Sequence, residues 1–116
     1  MVTETKTRKI EPDITVVEIS GTLHLGNTLI HTETAIKRMI DDGVRKLIVD
    51  ISGLNYIDSA GIGLLVSCAG QIHEAGGKMR IVGARGVVAK SFEVVKIALV
   101  VPLDGDVEAA CRNIGA

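Results

Sequence analysis

The chain has 116 residues, of which 47% are apolar and 23% are charged, so it suits one globular domain with a single hydrophobic core. Its 13 basic and 14 acidic residues nearly cancel, which argues against nucleic acid or an anionic membrane as the partner. With one Tyr, one Phe and no Trp, stacking on nucleic-acid bases is also disfavoured.

The two cysteines, Cys68 and Cys111, have no metal-ligating neighbour at the spacing of a zinc site. We therefore expect both to be reduced, partly buried side chains of a cytoplasmic protein. The polar start of the chain, MVTETKTRK, does not resemble a signal peptide. The longest apolar-rich stretch, residues 57–72, is shorter than the roughly 20 residues of a membrane span, so no membrane segment is expected.

Two β-strands are predicted at the beginning of the chain. Residues 14–20, ITVVEIS, form a run rich in β-branched side chains, which favours a strand. Residues 3–10 can pair back on this strand through the turn at residues 11–13, because proline presets a turn dihedral angle. Gly21 is predicted to end the second strand.

A helix and a buried strand are predicted next. The apolar spacing of residues 27–42 is typical of an amphipathic helix, with Asn27 or Thr28 as its cap and Gly43 as its end. Residues 46–51, KLIVDI, are almost continuously apolar, which indicates a strand that is buried on both faces.

The second half of the chain alternates helix and strand. Apolar side chains recur at spacings of three and four in residues 59–75, which predicts a helix. The elements predicted after it are a strand at residues 79–83, a helix at 87–97, a short strand at 99–101 and a last helix, capped by Asp104 or Asp106, that ends at Ile114. Because such βαβ steps favour parallel strands with helices packed on the sheet, the sequence predicts one α/β domain.

The stretch NYIDSAGIGLL places Asp58 and Ser59 before three small residues, Ala60, Gly61 and Gly63. Both Asp58 and Ser59 are good helix caps, and a plain cap is one interpretation. A phosphate on Ser59 would also lie where backbone N–H groups favour an anion, so the helix would tolerate it. The small residues leave a low surface on which added negative charge would oppose a partner, so a binding switch is the second interpretation.

A hydrolase nucleophile at Ser59 is disfavoured. A nucleophile elbow needs glycine two residues before and two residues after the serine, and only Gly61 is present. The basic partner would have to be His24, His31 or His73, and the last two fall within predicted helices.

Two further patterns resemble ligand sites without completing them. Residues 21–28 have the glycine spacing of a phosphate-binding loop, but Asn27 occupies the position of the essential lysine, so a plain strand-to-helix loop is favoured. Asp50 and Asp58 flank a strand end and could bind Mg²⁺ as paired carboxylates, but no acidic pair follows the first strand and position 24 is His. We therefore expect neither a metal nor a cofactor.

The segment LIVDISGLNYIDSAGIGLLVSCAGQIHEAGGKMRIVG closely resembles the core of STAS domains, in particular that of bacterial anti-sigma factor antagonists. The matching positions are Asp50, Ser52, Ile57, Asp58, Ser59, Ala60, Gly61, Gly76 and Gly77. The resemblance covers residues 5–113 of a single domain of residues 1–116. It implies the STAS fold, which is a mixed central β-sheet with alternating βα units and about four helices.

The resemblance also implies a mechanism. An unphosphorylated antagonist of this family binds an anti-sigma factor that is itself a serine kinase of the GHKL type, and the sigma factor is released. The kinase uses its own ATP to phosphorylate the serine matched by Ser59, the phosphoprotein dissociates, and a PP2C-type phosphatase resets it. This chain would then be a substrate and a ligand without catalysis of its own. The implied partner contacts are Thr22, His24, Asp58, Ala60, Gly61 and Gly63.

The loop after the second strand departs from the family. Relatives often carry Gly-Glu-(apolar)-Asp there, whereas this chain has Gly-Thr-Leu-His at residues 21–24, so both acids are missing. A neutral His24 removes a repulsion against phosphoserine, and a protonated one attracts it. The change also leaves open an unphosphorylated STAS subunit of a stress-signalling scaffold or a lipid-transport complex. The sequence does not fix the oligomeric state, and a homodimer is one option.

Overall fold

The computed structural model describes residues 3–115, in which strands and helices alternate as the sequence predicts. The strands are β1 (Glu4–Ile10), β2 (Ile14–Leu23), β3 (Lys46–Asp50), β4 (Leu54–Ile57), β5 (Lys78–Val82) and β6 (Leu103–Asp104). The helices are α1 (Asn27–Asp41), α2 (Ser59–Glu74), α3 (Gly86–Val95) and α4 (Val107–Ile114), with a 3-10 turn at Ile97–Leu99.

The strands form a mixed sheet in the order β1-β2-β3-β5-β6, with β4 paired to β2. β1 runs antiparallel to β2, which confirms the predicted pairing around the turn at residues 11–13, and the other pairs are parallel. The mixed sheet, the alternating βα units and the four helices confirm the predicted fold.

β2 is longer than predicted, because Gly21 does not end it. The first half of β2 pairs with β3, and its last residues pair with β4, so that Gly21 lies opposite Leu54 and Leu23 lies opposite Ile57. The sequence analysis missed β4, a strand of four residues whose two central side chains are exposed. This second pairing carries β2 to the point where Asp58 and Ser59 begin α2.

Two further boundaries differ from the prediction. Neither Asn27 nor Thr28 caps α1, since the helix begins after Gly26 and no side chain caps it. The strand predicted at residues 99–101 is wrong, because Lys96 adopts a left-handed conformation with φ of 56° and leads into the 3-10 turn. β6 forms only after Pro102, where Leu103 pairs with Ile81.

The core lies on both faces of the sheet. Strand side chains such as Val17, Val49 and Ile81 pack with α1, α2 and α3 on one face. The alternate strand side chains, such as Ile48, point to the other face and pack there with Ile114 and its neighbours on α4. This two-sided burial follows from the alternation of side chains along a strand, and it fixes the helix starts that carry the candidate site.

Cys68 and Cys111 are both free thiols. Cys68 is fully buried in the core and Cys111 is half-buried on α4. Burial raises the pKa of the Cys68 thiol to about 11, so this side chain acts as a small apolar residue. No helix within residues 3–115 has both the length and the apolar character of a membrane span.

Candidate functional site

Asp58, and not Ser59, is the cap of α2. The Asp58 backbone is extended, with φ of −106° and ψ of −177°, and its Oδ1 accepts a hydrogen bond of 2.8 Å from the backbone N–H of Gly61. Its carbonyl accepts the first helical hydrogen bond, from Ile62. Ser59 is therefore the first helical residue, exposed, and within residues 3–115 its hydroxyl has no hydrogen-bond partner.

The second carboxylate oxygen of Asp58 holds the loop between β2 and α1. Oδ2 accepts a hydrogen bond of 2.9 Å from the backbone N–H of Leu25, and the Asp58 N–H donates to the carbonyl of Leu23. The Leu25 N–H is the largest cause that lowers the pKa of Asp58. Partial burial opposes this shift, and the N–H groups of Gly61 and Ala60 and the charge of His24 add to it. The Asp58 carboxylate is thus held in its ionised form beside Ser59.

His24 and Thr22 lie in the loop that Asp58 ties down. Thr22 Oγ1 and His24 Nδ1 are 3.1 Å apart, and the Thr3 hydroxyl donates a hydrogen bond to the Thr22 carbonyl. Thr22 is buried, whereas His24 is exposed. Thr22, His24 and Asp58 line one shallow depression of about 500 Å³ together with Tyr56, a residue that the sequence analysis did not select.

Tyr56 and Leu25 are two apolar surface residues that the sequence analysis missed. Tyr56 of β4 is 47% exposed and Leu25 is 72% exposed. A signal existed in the pattern of residues 54–57, where Leu54 and Ile57 are apolar and flank two outward positions. Both missed residues lie next to sequence-predicted ones, and they add apolar surface to the site.

The three small residues of the stretch have different surroundings. Gly61 is buried, and a Cβ there would lie 2.6 Å from the carbonyl oxygen of Leu23, whereas its contribution to a partner surface stays a prediction. Its small size is required by packing of α2 against the end of β2. Ala60 is half-buried against the core, and Gly63 is exposed with nothing within 4 Å of a built Cβ.

The structure also locates the residues of the hydrolase site and the metal site that the sequence disfavours. His31 and His73 are exposed on helices α1 and α2. Asp50 Oδ1 accepts a hydrogen bond from the backbone N–H of Ser52, so both aspartates serve the local backbone. Among residues 3–115, no three His, Cys, Asp or Glu side chains gather in the way that a metal ion requires.

The described site belongs to a chain with clear relatives. The STAS domain family pattern matches residues 5–110. A protein named as the anti-sigma factor antagonist BtrV, from Bordetella bronchiseptica, is 27% identical over 78 residues, which are 67% of each chain. A crystal structure of an anti-sigma factor antagonist from Mycobacterium paratuberculosis is 20% identical, with a TM-score of 0.85 over 99% of this chain and 96% of that one. SpoIIAA of Bacillus in its phosphorylated form is 17% identical, with a TM-score of 0.74 over 95% of this chain and 99% of that one.

Proposed function

The chain belongs to the STAS domain family, and on that premise we propose that it is an anti-sigma factor antagonist switched by phosphorylation of Ser59. Its proposed partner is an anti-sigma factor that is a serine kinase of the GHKL type, in the cytoplasm, and a PP2C-type phosphatase reverses the modification. The chain itself binds and is modified, and it catalyses neither step. The name of BtrV and the phosphorylated form of SpoIIAA support this proposal.

One observation carries the proposal: the Ser59 hydroxyl is exposed and unbonded at the first helical position within residues 3–115, because Asp58 performs the capping. A capping serine would have to give up its hydrogen bond before it could react. Here the Ser59 hydroxyl can react without any loss of the helix cap, because Asp58 provides that cap. Backbone N–H groups of the first helical turn favour a negative charge, so a phosphate at Ser59 leaves α2 folded.

The proposed modification is a phosphoryl transfer from ATP held by the kinase. Ser59 Oγ forms a bond to the γ-phosphorus, the bond from that phosphorus to the bridging oxygen breaks, and ADP leaves with that oxygen. The hydroxyl proton passes to a base of the kinase or to water. In the reverse step, water cleaves the phosphoester in the phosphatase, which returns the hydroxyl and releases inorganic phosphate.

The surface around Ser59 explains why phosphorylation opposes binding. We define the docking surface as Thr22, His24, Leu25, Tyr56, Ser59, Ala60 and Gly63. A phosphoserine adds about 1.5 to 2 negative charges at neutral pH, next to the ionised carboxylate of Asp58. A partner that covers the docking surface must strip water from these charges, so the complex is lost while the domain stays folded.

The direct experiment incubates the protein with its GHKL-type kinase and ATP and maps the modified residue by mass spectrometry. Binding to the kinase is then measured by calorimetry for the phosphoprotein, for Ser59→Ala and for Ser59→Asp. We expect phosphate on Ser59, retained binding for Ser59→Ala, and binding lost for the phosphoprotein and for Ser59→Asp. Ser91→Asp is the matched control, because it places the same charge on α3, outside the docking surface.

The opposite result has a defined meaning. If no phosphate reaches Ser59 and Ser59→Asp binds its partner as well as the unmodified chain, the switch is absent. The chain would then act by assembly alone, as a STAS subunit of a stress-signalling scaffold or a lipid-transport complex.

A further inference from the structure

His24 is held beside the proposed phosphorylation site by backbone hydrogen bonds on both of its sides. The carbonyl of Leu23 accepts a hydrogen bond of 3.2 Å from the Asp58 N–H, and the N–H of Leu25 donates one of 2.9 Å to Asp58 Oδ2. Asp58 is the direct chain neighbour of Ser59. The loop therefore keeps His24 near Ser59 for as long as these two hydrogen bonds persist.

The imidazole of His24 has one nitrogen occupied and one available. Nδ1 lies 3.1 Å from Thr22 Oγ1, and within residues 3–115 Nε2 has no hydrogen-bond partner. When the Thr22 hydroxyl donates to Nδ1, the neutral ring carries its proton on Nε2, and a protonated ring carries a proton there as well. Nε2 is then a hydrogen-bond donor in both charge states of the ring.

The groups that surround His24 leave the imidazole unpaired. It lines a shallow depression together with Thr22, Tyr56 of β4 and Asp58 at the start of α2, and the Thr3 hydroxyl bonds the Thr22 carbonyl. Asp58 is the acid whose charge interacts with that of His24, but both of its carboxylate oxygens are bonded to backbone N–H groups. Of the four residues that line the depression, His24 is the one that can carry a positive charge.

We propose that His24 receives the phosphate of a phosphorylated Ser59, with its Nε2–H donating a hydrogen bond to a phosphate oxygen. This inference rests on the proposed function, because it requires phosphoserine at residue 59. A phosphoryl group extends the side chain beyond the serine hydroxyl and brings about 1.5 to 2 negative charges and three strong acceptor oxygens. Hydrogen bonds that involve ionised partners are roughly twice as strong as neutral ones. The phosphate thus supplies the acceptor that Nε2 lacks in the unmodified chain.

This contact would change the docking surface in a second way, besides the added charge. His24 is part of the docking surface, and a phosphate that engages its Nε2–H withdraws the imidazole from the partner. The partner would have to break a charge-assisted hydrogen bond before it could contact His24. His24 is then a positioning residue of the phosphorylated state, and its contact with the phosphate exists only after modification.

The test follows the phosphate itself, by phosphorus NMR titration of protein that carries phosphoserine at residue 59. Phosphoserine can be incorporated during translation, so the experiment needs no kinase. A donated hydrogen bond favours the dianion of the phosphate over its monoanion. His24→Phe keeps a ring and removes both nitrogens, and it should raise the midpoint of the phosphate titration by about 0.5 pH unit, about threefold in the ionisation constant. His24→Gln retains an N–H donor and should recover part of this shift.

His31→Phe is the matched control, because His31 is exposed on α1, outside the docking surface, and should leave the midpoint unchanged. Circular dichroism verifies that each variant is folded. Equal midpoints in His24→Phe and in the phosphoprotein with His24 would overturn the proposal, and so would a His24→Gln midpoint equal to that of His24→Phe. A kinase that leaves Ser59 unmodified would overturn the proposed function instead, and these midpoints would not change.

Discussion

Asp58 and Leu25, which are 33 positions apart in the chain, are joined by a hydrogen bond of 2.9 Å from the Leu25 N–H to the Asp58 carboxylate. The other oxygen of the same carboxylate caps α2 through Gly61 at 2.8 Å. One side chain thus holds together the loop that carries His24 and the helix that carries Ser59. Its removal should affect both elements at once.

We predict that Asp58→Ala lowers the free energy of unfolding by about 2 to 3 kcal/mol, because it removes a helix cap and a loop contact together. Asp106→Ala is the matched control, since Asp106 caps α4 through a single hydrogen bond to the Ala109 N–H and should cost about 1 kcal/mol. Urea denaturation measures both values. Equal losses in the two variants would show that the contact with Leu25 contributes nothing.

Acid should lower the free energy of unfolding, because the folded state favours the ionised forms of two aspartates. The pKa of Asp58 is lowered chiefly by the Leu25 N–H, and that of Asp104 chiefly by its hydrogen bond from Arg80, each from an ordinary value of 3.8. Because the folded state favours both ionised forms, their contribution is complete above pH 3.8 and is lost as the pH falls through the lower folded pKa values.

The measurement for this pH dependence is a series of urea denaturation curves from about pH 7 to pH 2. The free energy of unfolding should hold from neutral pH to about pH 4 and then decline. Asp104→Asn should flatten part of this decline, since the amide that replaces the carboxylate does not ionise. An acid limb of unchanged slope in Asp104→Asn would contradict the assignment.

Gly61 and Gly63 should respond in opposite ways to alanine. A Cβ at Gly61 would lie 2.6 Å from the Leu23 carbonyl oxygen and 2.7 Å from Ile57 Cγ1, so Gly61→Ala should lower the free energy of unfolding by about 1 to 3 kcal/mol. Gly63→Ala meets nothing within 4 Å and should raise it by about 0.5 to 1 kcal/mol, because alanine favours the helix. Thermal and urea denaturation of both variants measure this contrast, and a stable Gly61→Ala would refute the packing role.

His24→Asp should slow phosphorylation of Ser59 severalfold. The variant places a second carboxylate near Asp58, and added negative charge repels the incoming phosphoryl group. His31→Asp is the matched control, because His31 is exposed on α1, outside the docking surface. Phosphorylation rates with the kinase and ATP, together with dephosphorylation rates of the purified phosphoproteins, test this role. If His24→Asp changes neither rate, His24 has no part in the switch.

Leu25 and Tyr56 should contribute apolar contact to the kinase. Leu25→Ser and Tyr56→Ser remove exposed apolar surface, and we expect each to raise the Kd of the complex about tenfold. Ile30→Ser is the control, because Ile30 on α1 is a comparably exposed apolar side chain. Calorimetry with unphosphorylated protein measures the three values. Unchanged affinity in both test variants would place the contact elsewhere.

The fold could be predicted where local patterns decide it. The β-branched run of β2 and the helical spacing of α2 are visible in short windows. The prediction failed where strands that are distant in the chain pair with each other. β4 forms by pairing with the end of β2, and the same pairing extends β2 through Gly21. The strand predicted at residues 99–101 failed because a left-handed Lys96 redirects the chain, and nothing in an apolar run indicates that conformation.

The candidate site could likewise be predicted where its features are local in the sequence. Asp58 and Ser59 carry a local capping signal, and the structure assigns the cap to Asp58. The hydrogen bond from Leu25 to Asp58 joins two distant segments, so no sequence window contains it. The inward position of Gly61 is likewise a property of packing against Leu23, and composition alone suggested an open surface instead.

The end of β2 has a consequence for the proposed phosphorylation of Ser59. Leu23 accepts a hydrogen bond from the Asp58 N–H and packs against Gly61, so the finished sheet is what orients the start of α2. In an unfolded copy, Ser59 is one hydroxyl on a flexible peptide, without its neighbouring loop and without an aligned helix end. If Ser59 is phosphorylated as proposed, the kinase modifies natively folded chains, and misfolded chains do not take part in the switch.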